Sequence, residues 1–277
     1  MKIYFSRYER TPLQKINRLS ATTKKNGVLL RSEFGCYADY FPHTELGDLG
    51  VDEFLETFLL LKRPRDLKIL SRLKQQTNLP ESVAFKNHEL LITKSRKTTL
   101  PYIKYKIKDL HDFDFCQLNF EKVRLDANGL FINPEEVNHY LRLIPKNIQE
   151  KIEYIEDPTP SIDWGLINVA TAKDFIEGSG HEYLIYKPDL DFYKNSAKPV
   201  IFSSYLGHEL GTWQAYEELV QKGNLDLVHG LVSEGVYKEE KMLFDCIDDS
   251  YFKPNVIRVH DLFASLHGLD WKYLCTL

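Results

Sequence analysis

Lys122-Val123-Arg124-Leu125-Asp126-Ala127-Asn128-Gly129 is a short alternating run closed by an acid and turn residues. Downstream stand Asn133-Pro134-Glu135-Glu136 and then Ile152-Glu153-Tyr154-Ile155-Glu156. The first and last stretches read as strands. The middle one is a helix start: an Asn cap, Pro at the first helical position, and acids in the positive first turn. Val137, Tyr140, Leu141 and Ile144 supply that helix with one apolar face. Strand, helix and strand in this order make one parallel unit with a helical crossover.

The same rhythm extends both ways. Tyr102-Ile103-Lys104-Tyr105-Lys106-Ile107 alternates with period two. Residues 171–178 read as helix-like, followed by a strand at Tyr183-Leu184-Ile185-Tyr186-Lys187. Val200-Ile201-Phe202-Ser203, a helix around residues 214–222, and Leu225-Asp226-Leu227-Val228-His229 complete the series. The fold class predicted is α/β: a shortened (β/α) barrel of the TIM type. The first hundred residues read differently, as α+β. Strands are expected at residues 3–5 and 27–31, a loop at 35–49, and a helix from about Asp52 with Phe54, Leu55, Phe58 and Leu59 on one face. A second helical pattern runs through Leu67, Leu70 and Leu73, and a polar segment lies at residues 95–99. The expected organisation is a capping domain at 1–97, with about 250–277 packing back on it, and a barrel at 98–249.

Composition narrows the function. The chain has 277 residues, 36 Lys+Arg against 40 Asp+Glu, 43% hydrophobic residues and 13% aromatics. A net charge of -4 gives no electrostatic reason to expect nucleic acid or an anionic membrane as partner. The most apolar stretch, near residues 58–61, is far below the roughly 18 residues of a membrane span. Residues 1–7 carry no apolar leader core. Cys36, Cys116, Cys246 and Cys275 are scattered and match neither a metal knuckle nor a disulfide framework. The expectation is a cytoplasmic protein acting on a small molecule, with its oligomeric state unspecified.

Charges recur at the C-terminal ends of the strands: Lys106, Asp126, Glu156 and Lys187. Singly, each has an ordinary reading, as a solvated strand edge or a turn former. In a β/α barrel, however, strand C-termini converge on the active-site mouth. Charges at the last inward positions of buried strands are costly unless paired or metal-bound. Asp126 and Glu156 are hard oxygen ligands suited to Mg²⁺, with Mn²⁺ as the alternative ion. A lysine beside a second lysine and a divalent cation is pushed toward the neutral form, as a general base needs. The set points to metal-assisted removal of a proton α to a carboxylate.

These motifs resemble the enolase superfamily, and within it the o-succinylbenzoate synthases. The resemblance rests on Lys104-Tyr105-Lys106, Arg124-Leu125-Asp126-Ala127-Asn128, Ile155-Glu156-Asp157-Pro158, Ile185-Tyr186-Lys187-Pro188 and Ser203-Ser204, in that order. It implies Lys106 as the base, Lys104 beside it, and Lys187 across the substrate stabilising the enolate. It implies Asp126 and Glu156 as metal ligands, Arg124 in support, and Ser203, Ser204 and the backbone around 207–211 on the substrate's succinyl carboxylate. The loop at 37–43 would close the pocket. The implied reaction is syn-elimination of water from a hydroxy-cyclohexadiene carboxylate, giving o-succinylbenzoate for menaquinone synthesis. The third ligand departs from the family pattern. Counting back from Lys187 gives Asp163, only seven residues after Glu156, with Asp189 or Asp191 as substitutes. Two alternatives stay open: an N-acylamino acid racemase or dipeptide epimerase of the same superfamily, and a decayed barrel without turnover. His43, His208 and His229 read as structural.

Overall fold

In the computed structural model, residues 1–16, 20, 23–60, 74–75, 83–91, 101–160, 164–174, 180–188, 196–233, 236–239, 241–248 and 250–277 are described. β1 (Lys2–Arg10), β2 (Lys25–Ser32), β3 (Cys36–Tyr40) and the short β4 (Lys74–Gln75) form an antiparallel meander. The C-terminal strand β16 (Lys272–Thr276) pairs with the free edge of β1, so the cap is built from both ends of the chain. α1 (Val51–Leu60) lays Val51, Phe54, Leu55 and Phe58 on this sheet, against Ile3, Val28, Leu30, Ala38 and Tyr40. Tyr40 and Phe54 stack with ring centroids 3.7 Å apart.

The second unit is a curled parallel sheet. Its order is β6 (Glu89–Leu91), β7 (Tyr102–Lys106), β8 (Lys122–Asp126), β9 (Ile152–Glu156), β10 (Thr171–Asp174), β11 (Tyr183–Tyr186) and β12 (Val200–Phe202). β13 (Val228–His229) bridges the ends of the curl. It pairs in parallel with β5 (Phe85–Asn87), and Gly230 just beyond it bridges Ser203 just beyond β12. β5 also meets the hairpin of β14 (Phe244–Asp248) and β15 (Tyr251–Pro254), with α5 (Val256–His267) following. Side chains alternate across the strands. Outward residues Tyr105, Leu125 and Ile155 pack on Val137, Tyr140 and Leu141 of α2 (Pro134–Leu143), which precedes the short α3 (Lys146–Gln149). Tyr186 and Phe202 pack on Trp213, Tyr216 and Leu219 of α4 (Glu209–Lys222). Inward, Tyr154, Ala172, Ile185 and Ile201 make an apolar floor.

The cap helix, the 27–31 strand and the strand–helix–strand unit lie where the sequence puts them. Asn133 caps α2, accepting from the Glu136 amide at 2.9 Å. Three readings change. Residues 36–40 form β3 rather than loop, because β2 hydrogen-bonds along their length. Residues 171–174 form β10 rather than helix. Each of its flanks meets a parallel strand, Ile155 and Glu156 on one side and residues 183–185 on the other, and such pairing outweighs weak local propensity. The parallel sheet also begins at Glu89, with β5 running into it from Phe85, ahead of the boundary expected at 97. Residues 67–73 and 95–99 lie outside the described set.

Among the described residues, longer helices cover the β8–β9 and β12–β13 steps. The β7–β8 step is held by a side chain instead. The buried Asp112 carboxylate accepts from Tyr105 Oη at 2.7 Å and the Lys108 amide at 3.0 Å. Asp112→Ala leaves those donors unpaired, and each buried unpaired group costs about 1–3 kcal/mol. Urea unfolding is expected to show about 3 kcal/mol lost in Asp112→Ala. A loss under about 0.5 kcal/mol would mean the loop does not depend on this carboxylate.

Candidate active site

The parallel ladder puts the strand ends in register. Lys106 lies opposite Asp126, and Asp126 opposite Glu156. Ala172 lies opposite Glu156, so Asp174 stands two residues on, at the end of β10. Lys187 follows β11. The strand order is therefore Lys106, Asp126, Glu156, Asp174, Lys187: three acids bracketed by two lysines. With Lys104, Asp157, Ser203, Ser204, His88 and Gly230 they line one cavity of about 200 Å³. His43 and Leu46 of the cap also border it.

The charges compensate one another at short range. Lys104 Nζ is 2.7 Å from Glu156 Oε2 and 3.1 Å from Asp126 Oδ2. Lys106 Nζ is 3.4 Å from Asp126 Oδ2, and Lys187 Nζ is 2.7 Å from the Asp174 carboxylate. Burial alone pulls the Lys104 ammonium toward neutrality, but Asp126 and Glu156 outweigh it and hold Lys104 charged, above the usual lysine range. Burial likewise works against the Asp126 carboxylate, yet Lys104 and Lys106 hold it well below the usual range. Asn128, in the left-handed region at φ 47°, donates to the other Asp126 oxygen at 2.6 Å. Burial and the neighbouring Asp126 push the Glu156 carboxyl up.

Glu156, Asp157 and Asp174 bring ligand atoms within 4.8 Å of one another. Burial, Asp174 and Glu156 push Asp157 up to about 7, the direction expected of crowded acids. Lys187 Nζ lies 2.7 Å from both oxygens of Asp174, so this acid already has one cation beside it. A hard divalent cation suits such an all-oxygen set.

Lys104, Lys106, Asp126, Glu156, Lys187, Ser203 and Ser204 are thus brought to one cavity. Asp163 lies outside the described residues. Arg124 is buried one layer down, where Nε and Nη2 bond Glu153 at 2.6 and 3.2 Å and Nη1 meets His88. The amides at 207–211 do not open onto the cavity. Gly207 packs under Asp39, where a Cβ would stand 2.4 Å from Oδ2, and the His208 amide donates to the same carboxylate. His43 bonds the Tyr205 carbonyl, His208 caps α4, and His229 accepts from the Phe202 amide. Sequence reasoning missed Asp174, Asp157 and His88 as cavity residues. Asp174 was hidden by the helical reading of 171–178. Asp157 was visible beside Glu156, and nothing local marks His88.

The O-succinylbenzoate synthase N-terminal domain model matches residues 3–73. An o-succinylbenzoate synthase from Bdellovibrio bacteriovorus is 26% identical over 200 residues, 58% of this chain. That match spans 57% of the relative's own length. The o-succinylbenzoate synthase of Thermosynechococcus elongatus BP-1, complexed with Mg in the active site, superposes with a TM-score of 0.60 at 16% identity, covering 96% of this chain and all of that one. A dipeptide epimerase from Enterococcus faecalis V583 gives 0.64 at 11% identity, covering 91% of this chain and 96% of that one. An enolase-superfamily member from Roseovarius nubinhibens ISM complexed with magnesium gives 0.65 at 10%, covering 92% of each. At these identities the structural likenesses establish the fold. The fold is thus the one shared by these enolase-superfamily structures, and residues 3–73 resemble the N-terminal domain of the o-succinylbenzoate synthases.

Proposed function

We propose that this chain is an o-succinylbenzoate synthase, a lyase that removes water from a hydroxy-cyclohexadiene carboxylate. The observation that carries the reading is the bracketing of three strand-end acids by Lys106 and Lys187 around one cavity. Asp126, Glu156 and Asp174 would hold Mg²⁺, with Asp157 beside them. Asp174, in preference to Asp163, is assigned here as the third ligand because it ends the strand between β9 and β11. A bound divalent cation supplies positive charge to the substrate carboxylate as negative charge builds there.

The chain's own groups supply the rest. Lys106, in its neutral form, takes the α-proton, and the bond's electron pair moves into the carboxylate. Lys104 stays charged between Asp126 and Glu156, so it holds the acids in place without acting as a second base. Lys187 places its ammonium on the far side of the acids, against the developing enolate. In a syn elimination, hydrogen and hydroxyl leave from one face. The ammonium formed on Lys106 is therefore the acid positioned to protonate the departing hydroxyl, giving water and the aromatic ring. Ser203 and Ser204 donate to the succinyl carboxylate. Product of this kind is consumed in menaquinone synthesis.

The direct test supplies purified protein with Mg²⁺ and the cyclohexadiene substrate, and follows aromatisation by absorbance. Turnover is expected, and chelation is expected to stop it until Mg²⁺ is restored. Racemisation of an N-acylamino acid without aromatisation would move the chain to the racemase branch. Lys106→Ala is expected to lower kcat about 10³-fold with unchanged circular dichroism, and a wild-type rate would remove Lys106 as the base. Asp174→Asn is expected to weaken Mg²⁺ binding about tenfold or more by calorimetry, whereas Asp163→Asn leaves it within about twofold. The reverse pattern would restore Asp163 as the ligand.

A further inference from the structure

His88 stands in the break between β5 and β6. Its amide donates to the His229 carbonyl at 3.0 Å, and its own carbonyl accepts from Asn87 Nδ2 at 2.6 Å. The backbone is pinned, and the ring, 4% exposed, lines the cavity. Arg124 Nη1 lies 3.1 Å from Nδ1. A guanidinium only donates. Nδ1 must therefore accept, and the ring proton sits on Nε2. Arg124 is held in place, because Glu153 binds two of its nitrogens and its Cζ lies 4.9 Å from the Tyr154 ring centroid.

Three groups face the imidazole with positive charge or a second ring: Arg124 from β8, Lys104 from β7 and His229 from β13. Burial, then Arg124 and Lys104, keep His88 well below the ordinary imidazole range. Among the described residues, Nε2 has no hydrogen-bond partner. Gly230 adds an independent observation. A Cβ there would stand 2.9 Å from His88 Nε2 and 3.2 Å from Ser203 Oγ. The bare Cα leaves both polar atoms bordering the same small space in the cavity wall.

We propose that His88 is a substrate-binding residue of this site, whose Nε2–H donates, beside the Ser203 hydroxyl, to a carboxylate oxygen of the ligand. The inference rests on the functional reading above. A neutral imidazole serves this purpose well, since it binds an anion without offering a labile proton that would compete with Lys106. Arg124 acts one step removed, as the group that fixes the tautomer.

Two variants and one spectrum test it. His88→Phe keeps the volume and removes the donor. His88→Gln keeps an acceptor for Arg124 and an N–H for the cavity. In His88→Phe, KM for the cyclohexadiene substrate is expected to rise about tenfold while kcat changes less than about threefold. In His88→Gln both constants are expected to stay within about threefold of the unsubstituted protein. Long-range ¹H–¹⁵N NMR of histidine-labelled chain, assigned against His88→Gln, is expected to show the Nε2–H tautomer from about pH 6 to 8. Unsubstituted turnover with an unchanged KM in His88→Phe would overturn this inference alone. So would an Nδ1–H or doubly protonated ring, which the spectrum reads even where His88→Phe does not fold. No turnover by the unsubstituted protein would remove the functional reading and this inference with it.

Discussion

Lys104 carries its ammonium between two buried carboxylates, Glu156 at 2.7 Å and Asp126 at 3.1 Å. None of the three could remain in the barrel as an ion without the others, because an isolated charge moved out of water costs several kcal/mol even after relaxation. Three adjacent strands must therefore keep one register. A slip of one residue would turn these side chains to the outer face, where Tyr105, Leu125 and Ile155 pack on α2. The outer apolar layer and the inner charged layer fix the same alignment from opposite sides of the sheet.

This constraint explains what could be read from the sequence. β7 and β8 alternate apolar and polar residues, and β7, β8 and β9 all end in charges, so period and chemistry agree. Asn133 and Pro134 mark the one strongly signalled helix start. β10 has neither aid. Thr171-Ala172-Lys173-Asp174 is four residues long, with one β-branched residue and two, Ala172 and Lys173, that favour helices. Its strand character comes from hydrogen bonds offered by β9 and β11, which no local window contains. A helical reading of this stretch leaves Asp174 off the strand ends. His88 was illegible for a related reason. It gains meaning only where Arg124, Gly230 and Ser203 converge on it from three other strands.

Length posed the other puzzle. A barrel of this type takes about 250 residues, and a cap needs its own share of the 277. Part of the economy lies in the crossovers. The β7–β8 step is tied by Asp112 and a short 3-10 turn at Asp114–Gln117. The β9–β10 step uses residues 157–170 without a helix among those described. The fourth-to-fifth step is thus without a helix among the described residues, yet long enough to deliver a complete strand. The cap is economical too, since β16 returns from the C-terminus to cover the edge of β1.

That complete β10 bears on the idea of a decayed barrel. A truncated fourth-to-fifth step would favour that reading, but the step delivers a strand that ends at Asp174. The energetic argument points the same way. A buried ionic cluster can often be replaced by well-packed apolar residues with no loss, or with a gain, in stability. The apolar floor of Tyr154, Ala172, Ile185 and Ile201 lies directly beneath this cluster, so apolar filling is already present one layer down. Folding alone gives no reason to crowd Glu156, Asp157 and Asp174 within 4.8 Å of one another. The cluster costs stability where it stands, and a cation with a carboxylate ligand is the occupant whose charges would offset that cost.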